Sequence, residues 1–134
     1  MTSENKRGAI KEELERAESS SKAAILLASK GFYSDAVSRL YYFVYHSAKA
    51  LLFSEGLEPR SHEGLLRLVG QHFVKKGVLT PQDSHVLSRL MKYREEADYN
   101  PSYTFTKEDY DGLLVEASAL HDKIIRYLMQ QGYR

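Results

Sequence analysis

The stretch DAVSRLYYFVYHSAKALL, residues 35–52, decides how the chain reads. Three tyrosines and a phenylalanine stand among aliphatic residues, and Arg39 and His46 interrupt them. At about 100° per residue, a helix places Arg39 and His46 almost on one line, two turns apart. Asp35, Tyr42, Phe43 and Ala50 fall close to that line, and Val37, Leu40, Val44, Ala48 and Leu51 fall opposite. A helix apolar nearly all round is buried nearly all round. The aliphatic face therefore points to a core. The aromatic face needs a second element or a second chain to cover it, so a homodimer or a partner is expected to bury Tyr42 and Phe43.

Working outward, the flanking sequence is punctuated for helices. A first helix is expected over about residues 4–30, with Ile10, Leu14, Ala17, Ala24 and Leu27 on its apolar stripe and Gly31 suited to the left-handed position after its end. The helix containing the quoted stretch starts near Ser34 and stops before Gly56. Ser61 is a good N-cap for a shorter helix ending at KKG, residues 75–77. TPQD (80–83) and TKED (106–109) each pair a threonine cap with an aspartate three residues on, starting two more helices. Leu113, Ala117, Leu120, Ile124 and Leu128 form one stripe of the last. Only SYTF (102–105) has strand-like residues, and it is too short to build a sheet. The expected fold is all-α: one domain over residues 1–134, an antiparallel up-and-down bundle of four long helices plus a short additional helix.

The 134 residues suit a single core. The formal net charge of +1, from 19 basic and 18 acidic residues, excludes coating nucleic acid by bulk charge. An RNA ligand would need a local basic site, completed by a second subunit. With no cysteine there is no disulfide, thiolate metal site or cysteine nucleophile, which is compatible with a cytoplasmic protein. No apolar run approaches the roughly 18 residues of a membrane span, and the first 20 residues have no apolar signal core.

The spacing of Arg39 and His46 has chemical sense. A guanidinium fork matches phosphate, and imidazole exchanges a proton near neutral pH. Tyr42, one turn from each, is placed to stack on a base or donate its hydroxyl. The structural alternative is an i,i+4 ion pair of Arg39 with Asp35, and a histidine satisfied within the core. Arg94 and Asp98 also stand at i,i+4, which suits a salt bridge, or Arg94 joins the Arg39–His46 cleft from a neighbouring helix. His62, beside Arg60 at a helix start, reads as a surface cap-region residue, with support of the site from behind as the alternative, and His72, His85 and His121 as surface or boundary residues. None of the four makes a metal-ligand pair, so no metal or other cofactor is expected.

SRLYYFVYHSAKALL (38–52) resembles the signature helix of the HEPN superfamily, in which an arginine and a histidine are separated by four to six residues; here Arg39 and His46 bracket six. RSHEGLLRLVGQHFVKKGVL (60–79) and REEADYNPSYTFTKEDYDGLL (94–114) resemble its middle segment and its Arg-x-x-x-Asp-Tyr stretch with the last helix. The resemblance spans about residues 10–130. It implies a helical bundle that often dimerises, with a metal-independent RNase site at the dimer cleft of active members. Arg39 would bind and stabilise the phosphate, His46 would act as general acid and base, and a ribose 2′-hydroxyl would attack. Asp35, Tyr42 and Arg94 are the supporting candidates. The resemblance also implies a toxin partnered by a nucleotidyltransferase-like antitoxin, or instead a non-catalytic nucleotide-binding or protein-interaction subunit that uses this helix as its dimer interface. One common toxin pattern has a tyrosine two residues after the histidine. Ala48 stands there in this chain, so that tyrosine has no equivalent.

Overall fold

Side-chain caps open four of the five helices. The computed structural model describes residues 2–134, and among them it contains helices and no strand. Thr2 accepts the Asn5 amide at 3.2 Å and starts α1 (Ser3–Ser29). After a short turn comes α2 (Tyr33–Ser54), without a side-chain cap. Ser61 accepts the Gly64 amide at 2.9 Å and opens α3 (His62–Val69). Reciprocal boxes, Thr80 with Asp83 and Thr106 with Asp109, open α4 (Pro81–Tyr99) and α5 (Lys107–Gln130). Each cap satisfies amides that the helix itself cannot, worth typically about 1 kcal/mol.

The turn that follows α1 needs its glycine. Gly31 sits at φ +82°, its amide bonding Ala28 O and the Phe32 amide bonding Leu27 O at 3.0 and 2.9 Å. This closure satisfies the last carbonyls of α1 in a conformation that side chains with a Cβ resist. It sends α2 back along α1.

Helix α2 is the rod around which the others pack: α1 lies along it, and α4 and α5 lean on it. Twelve of its 22 residues are buried. The aliphatic side (Val37, Leu40, Val44, Ala48, Leu51) is in the core. So is the expected stripe of α5, from Leu113 to Leu128.

Two expectations need correcting. Phe43 does not await a second chain: it is 4 % exposed, because α5 covers it with the His121 ring at 4.6 Å between centroids. His121 is half-buried, a boundary residue as expected; its Nδ1 lies 2.7 Å from the Ser47 hydroxyl, itself buried. The signal was present, since position 121 continues the i, i+4, i+7 rhythm of Ala117, Ile124 and Leu128. The short helix also changes character before KKG. After Val69 the chain makes a π-helical turn, Gly70–Val74, closed by Lys75 N to Gly70 O. Leu65, Val69 and Phe73 are four apart and all buried. An α-helix would drift by about 40° at each such step, and the wider turn keeps Phe73 beneath the others.

Burial holds His121 below the usual histidine pKa of 6.5, and burial with the nearby Arg94 does the same to His62. Both are neutral when folded and take up protons more readily when unfolded. Stability is therefore full above the unfolded value and declines as pH falls through 6.5 towards the lower folded values. Chemical denaturation across pH 5 to 8 should show this slope, and His121→Gln should flatten it. A wild-type stability that is constant over that range would contradict the assignment.

Candidate functional site

The bundle leaves one stripe of α2 partly uncovered. Arg39, Tyr42, Tyr45, His46, Lys49 and Phe53 are its half-buried residues, recurring at the spacing of one helix face, while their neighbours face the core. This is the line that carries the expected arginine and histidine.

His46 is held from α1. Its Nδ1 lies 2.6 Å from Oε2 of Glu13, and the Glu13 side chain is only 3 % exposed. The other carboxylate oxygen takes Arg16 at 2.8 Å, with the Lys49 ammonium 3.5 Å away. Burial alone would raise the Glu13 pKa, but the hydrogen bond to His46, aided by Lys49, the His46 charge and Arg16, brings it below its usual value. Glu13 is thus an ionised acceptor that orients the ring. With Nδ1–H donated to it, Nε2 is the nitrogen left for proton transfer. The sequence reading passed over Glu13, although it stands at the i+3 step of the stripe Ile10, Leu14 and Ala17, where a charge is out of pattern.

Two guanidinium groups converge on Tyr42. Arg39 lies 4.7 Å from the ring centroid, and Arg94 reaches across from α4 to 6.0 Å. Arg39 makes no ion pair among the described residues, with Asp35 or any other carboxylate, and Asp35 is exposed at the start of α2. The structure therefore joins Tyr42 and Arg94 to the Arg39–His46 line and leaves Asp35 outside. Arg94 also has the expected Asp98 contact, at a loose 3.6 Å. Its side chain is 11 % exposed and rests on Tyr41, and its Nε has no hydrogen-bond partner.

His62 belongs to the same cluster rather than to the open surface. Capping by Ser61 sets it at the first position of α3, where its Nδ1 meets the buried Tyr41 hydroxyl. Its ring stacks at 4.7 Å from Tyr45, whose other neighbour is His46 at 5.2 Å. Nothing in the sequence announces this contact between residues 21 positions apart.

The patch is basic and aromatic. Three surface clefts, the largest about 450 Å³, are lined by other residues. Among the described residues no three histidine, aspartate or glutamate side chains are arranged to hold a metal ion, and no helix is long and apolar enough to cross a membrane.

Comparison with known proteins finds relatives of this chain. The pattern of the HEPN domain matches residues 10–127. A Methanocaldococcus jannaschii protein whose name reads "Putative toxin" is 33 % identical over 117 residues, 87 % of this chain and 87 % of that one. A second protein of that organism with the same description is 31 % identical over 119 residues, covering 89 % of this chain and 81 % of its own.

The buried Glu13 carboxylate makes its own prediction. Hydrogen bonds to charged groups contribute about 1.5–3 kcal/mol, so Glu13→Gln should lower the unfolding free energy by roughly that amount. A double-mutant cycle with His46→Ala should give a coupling of at least about 0.5 kcal/mol. Strict additivity would mean that the two side chains do not act as a unit.

Proposed function

The chain belongs to the HEPN domain family, and on that premise we propose that it is a metal-independent endoribonuclease, acting as the toxin-like member of a toxin–antitoxin pair. The observation that carries this reading is the His46–Glu13 pair beside an Arg39 that has no carboxylate partner among the described residues. Cleavage by a ribose 2′-hydroxyl needs charge stabilisation at phosphorus and proton transfer at oxygen, and no metal. Arg39 binds and stabilises the phosphate, His46 transfers the proton through Nε2, and Tyr42 supports the adjoining nucleotide by stacking. Arg94, stacked on the same tyrosine ring, adds a second positive charge.

A homodimer fits this reading. The α2 stripe is only partly covered within one chain, and a second copy facing it would form a cleft with two sets of cations. The names of the two Methanocaldococcus relatives support a toxin role; the proposal adds to it a cytoplasmic setting and a nucleotidyltransferase-like antitoxin partner.

The purified protein should cut RNA in the presence of EDTA, leave DNA intact for want of the 2′-hydroxyl, and leave ends carrying a 2′,3′-cyclic phosphate or its hydrolysed form. Arg39→Ala and His46→Ala should each lower the rate about 100- to 10,000-fold while both variants remain folded. Cleavage that needs a divalent metal, or that survives both substitutions unchanged, would refute the mechanism. Binding of RNA or nucleotide without any cleavage would identify a non-catalytic subunit instead.

A further inference from the structure

An RNA strand is gripped by its bases as well as its phosphates, and the half-buried Tyr42 already carries Arg39 on its ring. A second base needs another aromatic surface. We propose that Tyr99, at the end of α4, is a base-stacking residue of the same site, with its ring set in place by Arg94. Resting on the ribonuclease reading above, this adds a side chain that touches substrate, and it defines the substrate as a strand with one base turned out of its stack beside the scissile phosphate.

Among the described residues Tyr99 is the most exposed of the large apolar side chains, at 75 %, so burial does little to account for an aromatic ring there. Exposure by itself is ordinary. What sets Tyr99 apart is its neighbour. The Arg94 guanidinium lies 6.0 Å from the Tyr99 ring centroid and 6.0 Å from that of Tyr42, on which Arg39 rests at 4.7 Å. One guanidinium thus joins the exposed ring to the ring at the centre of the site. Those two spans bound the separation of the rings and keep both within reach of one short stretch of strand.

The backbone presents the Tyr99 ring firmly. Tyr99 is the last residue of α4, and Asn100 turns the chain away directly after it. The Asn100 amide bonds Glu96 O at 3.0 Å, its side chain donates to the Glu96 carboxylate at 2.9 Å, and its Oδ1 accepts the Ser102 amide at 3.1 Å. Pro101 stiffens the turn between them. Arg94 is 11 % exposed and rests on Tyr41 at 5.4 Å, so it is anchored from beneath. A ring held this way gives up little freedom on taking a base. The charges of the same turn select a base over a phosphate. Arg94 has Glu95 at 4.0 Å and Asp98 at 3.6 Å, and Glu96 stands beside them. These carboxylates repel a phosphate at Tyr99, while Arg39, free of any carboxylate among the described residues, attracts one. The backbone of the strand therefore stays over Arg39, and the uncharged base reaches Tyr99.

The test uses an oligonucleotide spanning the site cut best in a pool of random-sequence RNA, versions of it that lack the base at each position in turn, and an uncut version with hydrogen in place of the attacking 2′-hydroxyl. Tyr99→Ala should raise KM about 5- to 150-fold while kcat and thermal unfolding stay close to wild type, and Tyr99→Phe, which keeps the ring, should restore KM. One abasic position beside the cleaved bond should raise the wild-type KM by a similar factor, whereas Tyr99→Ala should take that RNA no worse than the complete strand. The chain has no tryptophan, so Tyr99→Trp introduces a single indole, whose emission the uncut RNA should quench and its abasic form should not. A Tyr99→Ala KM within twofold of wild type, an abasic penalty equal in both proteins, or a loss that sedimentation traces to failed self-association overturns the proposal and leaves the Arg39–His46 reading intact. A wild-type protein that cuts no RNA overturns both.

Discussion

A rod as apolar as α2 must be covered on nearly every side, and that requirement organises the whole chain. The hydrophobic effect favours burying each aliphatic side chain by about 1.5–3 kcal/mol, so α1, α4 and α5 all settle against this one helix. The cover is incomplete along a single stripe. Apart from Phe53, the residues on that stripe are those for which full burial would be costly: Arg39, Lys49, His46 and tyrosines with hydroxyl tips. Packing and the position of the candidate site are therefore one fact, because the site is where covering α2 stops being favourable.

Glu13 is the point at which this logic is broken deliberately. A carboxylate inside an apolar stripe is tolerated only when paired, and here it is paired with His46, Arg16 and Lys49. It ties α1 to α2 and at the same time decides which nitrogen of His46 is engaged. Tyr41 plays the corresponding part for His62: too deep for water, its hydroxyl is satisfied by a ring from α3. Both histidines are thus oriented by the satisfaction of buried polar atoms.

The basic character of the patch is likewise local. The chain as a whole is nearly neutral, yet Arg39 and Arg94, 55 positions apart, meet over one tyrosine ring. Arg94 arrives because α4 packs against α2, and its loose contact with Asp98 leaves Nε unused. Arg39, which has no carboxylate partner among the described residues, is the cation left available to an anionic ligand.

The sequence by itself determined the helices, their starts and all but the end of α3, and the Arg39–His46 line, because caps, glycine turns and 3.6-residue periodicity act within a few residues of one another. Ser61, Thr80 and Thr106 cap where they were read to cap, and the α5 stripe is buried as its spacing demands. Glu13 and His121 were legible too, as polar residues in apolar registers, though their partners were not. Only the tertiary structure decided that Phe43 belongs to the inside, that Asp35 stands apart from Arg39, and that Glu13 and His62 reach the aromatic stripe. Those outcomes depend on which helix lies against which face of α2 and at what height. That choice is set by the summed burial of the whole core, and no local spacing encodes it.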